Sequence, residues 1–340
     1  MHLRLTALPP ILFLQCSPQV EVKCGKVAGR ALHISSAGVA AVWKGIPYGS
    51  VPARWTPPVA APCWPGSTLN ATEPRGMCWQ MDGKVYGPPA GPQVEQCLNL
   101  DVFTNLTAFG IGPAGRPKPV VVFLYGGSLV AGSTGSYPGI GQLAVLEDIV
   151  LVVPNYRLAA FGYLTHPALD RTDPRGVSGN YGLLDQQLAL RWVAENVAAF
   201  GGDPGRVSVL GQSSGGTSIL GLLASPGSRG LFHAAISLSA SPNVTMDLQQ
   251  AHRQNAKVVA AQTDCAGAAD VAACLRGLTS QQVAALLPAA SFDVSPTLPR
   301  SPAGNFILFV LALALARPHT SQTVVTLGVL GHVSHACWCV

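Results

Sequence analysis

Charge is scarce in this chain. Only 11% of its 340 residues are Asp, Glu, Lys or Arg, and the 21 Lys and Arg that outnumber 16 Asp and Glu, for a net charge of +5, form no basic cluster. A nucleic-acid binder concentrates its cations on one face, so nucleic acid is not expected as a partner, and the charge balance says little about substrate. With 48% hydrophobic residues and so little charge, disorder is excluded as well. Long apolar runs are also missing. The stretch at 306–316 holds 11 apolar residues, short of the ~20 that a membrane-spanning helix needs, so no stable membrane span is expected.

What is present is enough sequence for a large core, either one large α/β domain or about two domains. The first 17 residues, a positive start followed by a short apolar run at 5–14, suit a secretory signal peptide, although Pro9 and Pro10 interrupt it. Three sequons, at Asn70, Asn105 and Asn243, and nine cysteines point the same way, to glycosylation and an oxidising, secreted or secretory-lumen setting. Residues 20–100 are rich in Pro and Gly with short β-like runs, as an antiparallel entry to a sheet would be. Beyond them, residues 119–125 and 148–154 are continuous apolar runs ended by turn residues, the pattern of strands buried on both faces of a parallel sheet. Residues 185–196 space Leu188, Trp192 and Val193 as a helix does, stopping at Gly201 and Gly202. A strand at 206–210, a helix at 215–224 and a strand at 234–238 continue the alternation, which predicts an α/β fold with helices on both faces of a mostly parallel central sheet.

The run RVSVL (206–210) leads directly into Gly211, Gln212, Ser213, Ser214 and Gly215 and then into a helix-compatible stretch. That is the setting of a nucleophile elbow, in which a serine sits on a strained strand-to-helix turn. Ser213 is the candidate nucleophile, and Gly211 and Gly215 are the glycines that let strand and helix approach closely.

Several stretches together resemble the type-B carboxylesterase and cholinesterase family of α/β-hydrolases: KGIPY (44–48), CLNLDVF (97–103), NYR (155–157), FGYL (161–164), GNYGLLDQQ (179–187), EN (195–196) and AFGGDP (199–204). The likeness runs from about residue 22 to about residue 302. It implies an α/β-hydrolase domain at 18–302 and a small-molecule carboxylic ester as substrate, with no metal or organic cofactor. Tyr125, Gly126, Gly127 and Ser128 stand where the family builds its oxyanion hole. By that correspondence the N–H groups of Gly127, Ser128 and Ser214 face the oxygen that becomes negative in the tetrahedral intermediate. The family usually has glycine where this chain has Ser128, whose side chain would crowd the acyl pocket. It usually has glutamate where this chain has Gln212, and losing that carboxylate disfavours choline esters and other cationic substrates. Ser239 matches a family serine near the catalytic histidine, or is simply a polar strand-end residue. Cys78 with Cys97 and Cys265 with Cys274 match the family's disulfides, Cys24 and Cys63 are available for a further bridge, and Cys16 would leave with the signal segment.

The triad of this fold runs in chain order serine, acid, histidine. After Ser213 there is no glutamate, only Asp247, Asp264, Asp270 and Asp293, and no stretch resembles the family's acid or histidine motifs. The C-terminal part of the fold is therefore expected to be missing, with residues 303–340 a tail foreign to the family and the sheet left with an unpaired edge. His332, His335, Cys337 and Cys339 fit no common zinc spacing, so no metal is expected. Asp293 with His332 or His335 would keep the triad order, but no strand scaffolding for such a surrogate is visible. The expectation is an ester hydrolase acting through an acyl-enzyme on Ser213, weakly active and marginally stable as this chain. The rival readings are a non-catalytic adhesion or hormone-precursor scaffold of the same family and a small-molecule binding module.

Overall fold

The computed structural model describes residues 17–34, 38–80, 91–106, 116–241, 247–286 and 323–327. Residues 1–16 of the expected signal segment, Cys16 among them, together with Asn243, Asp293, the apolar run at 306–316 and His332, His335, Cys337 and Cys339, lie outside them.

Eight strands form the central sheet: β1 (Arg30–Ile34), β2 (Gly38–Pro47), β3 (Asn99–Asn105), β4 (Lys118–Leu124), β5 (Val150–Pro154), β6 (Gly202–Gln212), β7 (Ala234–Leu238) and β8 (Thr323–Leu327). Their spatial order is β8-β7-β6-β4-β5-β3-β2-β1. β1, β2, β3 and β5 pair antiparallel, and β5, β4, β6, β7 and β8 pair parallel. The antiparallel entry and the parallel centre thus fall where the two textures of the sequence place them. The chain runs from β4 to β5 on one side and returns to β6 on the other, so the carboxyl end of β4 is a topological switch point, where α/β sheets place their ligands.

The apolar runs follow from burial on both faces. Val120, Val122, Leu124, Val150, Val152, Val207 and Val209 pack on one side. There they meet Leu183, Leu190 and Val193 of the helix Tyr181–Asn196 and Ile219 and Leu222 of the helix Ser214–Ala224. Phe123, Leu151 and Val153 point to the other face, against Val259, Leu275 and Val283 of the helices Leu248–Gln262, Val271–Gly277 and Ser280–Ala285. Helices therefore cover both faces, as the alternation predicts. One inter-element link is ionic: Arg157, after β5, donates from Nε and Nη2 to Asp185 at 2.8 and 2.7 Å, and both residues are buried.

Three elements depart from the sequence expectations, one of them the helix expected at 185–196, which begins at Tyr181. β6 begins at Gly202 rather than 206, because the backbone of Lys118 already pairs there across a register shift. β8 lies inside the stretch expected to be a foreign tail, and it pairs in parallel with β7 from Ala234 opposite Thr323 to Leu238 opposite Leu327. β7 is thus paired on both sides, the edge of the sheet passes to β8, and a strand does exist inside the expected tail. Five residues, TVVTL, are too short a β-branched run to stand out from an apolar surrounding.

Disulfides join Cys78 to Cys97, Cys265 to Cys274 and Cys24 to Cys63. Among the described residues no helix is long and apolar enough to cross a membrane.

Candidate active site

β6 ends at Gln212 and the helix Ser214–Ala224 starts two residues later, leaving Ser213 as the single turning residue with φ 55° and ψ −124°. Positive φ in a residue with a side chain costs about 1–3 kcal/mol and persists only where the surroundings enforce it. Here they do. A Cβ on Gly211 would lie 2.4 Å from the carbonyl oxygen of Gly215, and one on Gly215 would lie 2.1 Å from that of Leu124. Strand, helix and the neighbouring β4 touch through backbone alone. The Ser213 N–H donates to the Leu238 carbonyl at the end of β7 (2.8 Å), and its carbonyl accepts from Thr217 N–H (3.0 Å). The residue is half-exposed, and its backbone is held by both the following helix and the adjacent strand.

Register brings the glycine-rich loop to the same place. Leu124 of β4 lies opposite Gly211 of β6, so two residues further along each parallel strand Gly126 faces Ser213, and a Cβ on Gly126 would sit 3.0 Å from that of Ser213. The loop then bends through positive φ at Gly127 (127°), Ser128 (55°) and Leu129 (59°). Four of its N–H groups anchor it. Val130 and Ala131 N–H both donate to the Gly127 carbonyl (3.0 Å). Leu129 N–H donates to Ser214 Oγ (3.1 Å). Gly126 N–H donates to the Tyr137 hydroxyl (3.1 Å), which itself donates to Gln212 Oε1 (2.6 Å). At its far end Gly132 is clamped by the Gln80 amide, donating to Oε1 (2.9 Å) and accepting from Nε2 (3.0 Å).

Behind the loop, Tyr125 stacks on Tyr156 with centroids 4.4 Å apart, and burial pushes both phenols well up, so they are neutral hydrogen-bonding groups. Ser239 is exposed, with φ 51°, directly after the β7 residue that binds Ser213 N–H. Nearby, Ser241 N–H donates to Thr217 Oγ1 (3.2 Å), tying the segment after β7 to the first turn of the Ser214–Ala224 helix.

The predicted elbow, the glycine-rich loop and Ser239 therefore converge on one end of the sheet. Tyr137, Gln80, Leu129 and Thr217 support them and carry no local sequence signal. Among the described residues no acid or histidine hydrogen-bonds to Ser213. His233 accepts Val207 N–H at Nδ1 (3.2 Å), at the opposite end of β6. His166 accepts Ala168 N–H (3.1 Å) and His252 pairs with Asp170 (3.2 Å). His33 pairs with Val39 at the far edge of the sheet. Asp247 and Asp270 accept the N–H groups that cap their own helices. Nor do the described residues group three or more His, Cys, Asp or Glu side chains as a metal would require.

Comparison with known proteins places this geometry. The model of the carboxylesterase family matches residues 16–309. The chain is similar to a cocaine esterase of Oryctolagus cuniculus, 39% identical over 65% of this chain and 41% of that protein. It is 33% identical to a cocaine esterase of Homo sapiens over 79% of this chain and 49% of that protein. A carboxylesterase 3B of Mus musculus is 37% identical over 65% and 39% respectively. The chain thus spans about half the length of the curated relatives it matches, or less. Their family implies the α/β-hydrolase fold, with which the mixed sheet and its two helical layers agree. A match over so much of the chain, together with the strand-serine-helix turn beside a glycine-rich loop, establishes that the chain belongs to the carboxylesterase family.

Proposed function

We propose that this chain carries the nucleophilic half of a carboxylic-ester hydrolase acting on small-molecule esters. The observation that supports it most is the strained Ser213 backbone, enforced by Gly211 and Gly215, with Gly126 in contact range. Ser213 Oγ would attack the ester carbonyl carbon, the alcohol would leave with a proton, and water would release the acid from the acyl-enzyme. The N–H groups of Gly127, Ser128 and Ser214 would receive the oxyanion, each worth roughly a hundred- to a thousandfold in rate. The chemistry calls for no metal or organic cofactor. Gln212 puts no carboxylate charge next to Ser213, which favours neutral over cationic esters.

Among the described residues none stands as a base beside Ser213, and without one a serine hydrolase retains about 10³–10⁴ over water from binding and the oxyanion hole; slow turnover is therefore our reading. The disulfides fit an oxidising compartment, and we place the protein in the secretory lumen, with glycans on the sequons.

A fluorophosphonate probe tests the assignment. Covalent labelling that is stoichiometric, maps to Ser213 and disappears in Ser213→Ala supports it, whereas absence of labelling in folded protein leaves a non-catalytic scaffold of the same family.

A further inference from the structure

A cleft of about 230 Å³ opens where Arg54, Trp55, Trp79, Arg157, Phe161 and the Cys78–Cys97 disulfide meet, with no residue of the elbow or of the 126–132 loop in its wall. Its size exceeds the roughly 150 Å³ of an apolar protein cavity that takes up benzene. Three aromatic side chains line it, so a flat apolar group is the natural occupant.

Its charges cancel. Arg54 donates from Nε and Nη2 to Glu95 (2.9 and 2.5 Å), from Nη1 to the carbonyls of Arg276 and Leu278, and from Nη2 to Ser280 Oγ (3.5 Å), which engages all five of its N–H groups. The Arg54 guanidinium holds the Glu95 carboxyl below its ordinary range, so the carboxylate stays ionised beside it. Arg157 is different. Asp185 and the Thr56 carbonyl take three of its five N–H groups, while the side chain is 4% exposed and forms part of the wall. Because Asp185 already neutralises it, a second full negative charge would gain little there. A neutral oxygen acceptor would use the spare donors without bringing a charge into a buried setting.

The wall is also mechanically continuous with the glycine-rich loop. Trp79 is followed by Gln80, whose amide grips Gly132 from both sides. A Cβ on Gly132 would stand 2.9 Å from the Gly126 carbonyl, and Gly126 abuts Ser213. Displacing Trp79 therefore displaces the clamp on the loop.

We infer that this cleft is a second ligand site, for a neutral aromatic molecule bearing a carbonyl oxygen, and that its occupancy acts on the 126–132 loop through Gln80. The loop half of this inference rests on the proposed role of Ser213, whereas the binding half does not.

Benzamide is the probe, titrated calorimetrically into the full chain with benzoate and benzylamine as charged counterparts. Saturable one-site binding of benzamide is expected, about tenfold weaker in Trp79→Leu and for either charged analogue. The fluorophosphonate labelling rate of Ser213 should shift with the same half-saturation as the heat, and the shift should vanish in Trp79→Leu. No saturable heat, or equal affinity in Trp79→Leu, overturns the site. Inhibition of labelling that persists in Trp79→Leu means that benzamide sits at Ser213 instead. Binding without any change in labelling overturns the link through Gln80. If Ser213 does not label at all, the hydrolase reading fails, and the heats still decide whether the cleft binds.

Discussion

Removing one hydroxyl should disconnect the glycine-rich loop from the nucleophile strand. Tyr137 Oη accepts Gly126 N–H at 3.1 Å and donates to Gln212 Oε1 at 2.6 Å, while its ring packs edge-on against Phe123 with centroids 5.0 Å apart. Tyr137→Phe keeps that ring contact and deletes both bonds. Gly126 is buried, so its N–H would lose its partner with no water to replace it, a cost of about 1–3 kcal/mol. The Gln212 amide is half-exposed and can turn to solvent, adding little. A loss of ~2 kcal/mol corresponds to about 3 °C in Tm for a domain of this size. Reactivity should fall further than stability alone accounts for, because the amides proposed to receive the oxyanion lie on the same loop. Fluorophosphonate labelling of folded Tyr137→Phe, measured well below its Tm, should slow about tenfold or more if one such amide is displaced. Labelling at the wild-type rate with an unchanged Tm would refute the claim that this hydroxyl holds the loop in register.

Other outcomes follow from the same geometry. In Gly215→Ala the new methyl meets the Leu124 carbonyl at 2.1 Å, so β4 and the following helix must separate; a cost of about 3 kcal/mol or more is expected, read as lost soluble yield or a collapsed denaturant midpoint. Arg157→Met strands Asp185 in the core and should cost about 3–5 kcal/mol in chemical denaturation, with Arg157→Met plus Asp185→Leu recovering part of it. Arg54 and, less strongly, Ser280 depress the Glu95 pKa against its partial burial. The stability this pairing contributes is present above the unfolded carboxyl value of about 4.3 and is lost as pH falls through the lower folded value. Hydrogen exchange across the helix Ser280–Ala285, which Glu95 reaches through Ser280, should therefore accelerate only below about pH 4, and in Glu95→Gln already at neutral pH. Asn70 is exposed with its Oδ1 held by the Thr72 hydroxyl at 2.9 Å. Enzymatic deglycosylation of protein secreted from eukaryotic cells should give a mass shift at Asn70 that Asn70→Gln abolishes.

Local signals carried a good part of this protein. The runs at 119–125 and 148–154 read as parallel strands because burial on both faces leaves no polar positions. The turn at 211–215 reads as an elbow because only glycine tolerates the backbone contacts that Gly211 and Gly215 make. Family likeness, not spacing, singled out the Cys78–Cys97 and Cys265–Cys274 pairs, and left Cys24 and Cys63 as a bare possibility that the structure shows joined.

What the linear order left open were contacts between residues far apart in it. Tyr137 meets Gln212 across 75 positions, Gln80 meets Gly132 across 52, and Leu129 meets Ser214 across 85. None of these side chains is unusual for its neighbours in the chain. Only the parallel register of β4 against β6 makes the loop and the elbow adjacent. The pairing of β8 with β7 is of the same kind, since a five-residue strand takes its stability from the edge it joins rather than from its own composition. The amino-acid order by itself determined the central strands, the two helices that flank the elbow and which serine sits at a turn. The packing of the sheet decided which backbone amides and hydroxyls stand around that serine, because hydrogen-bond partners are chosen by distance in space.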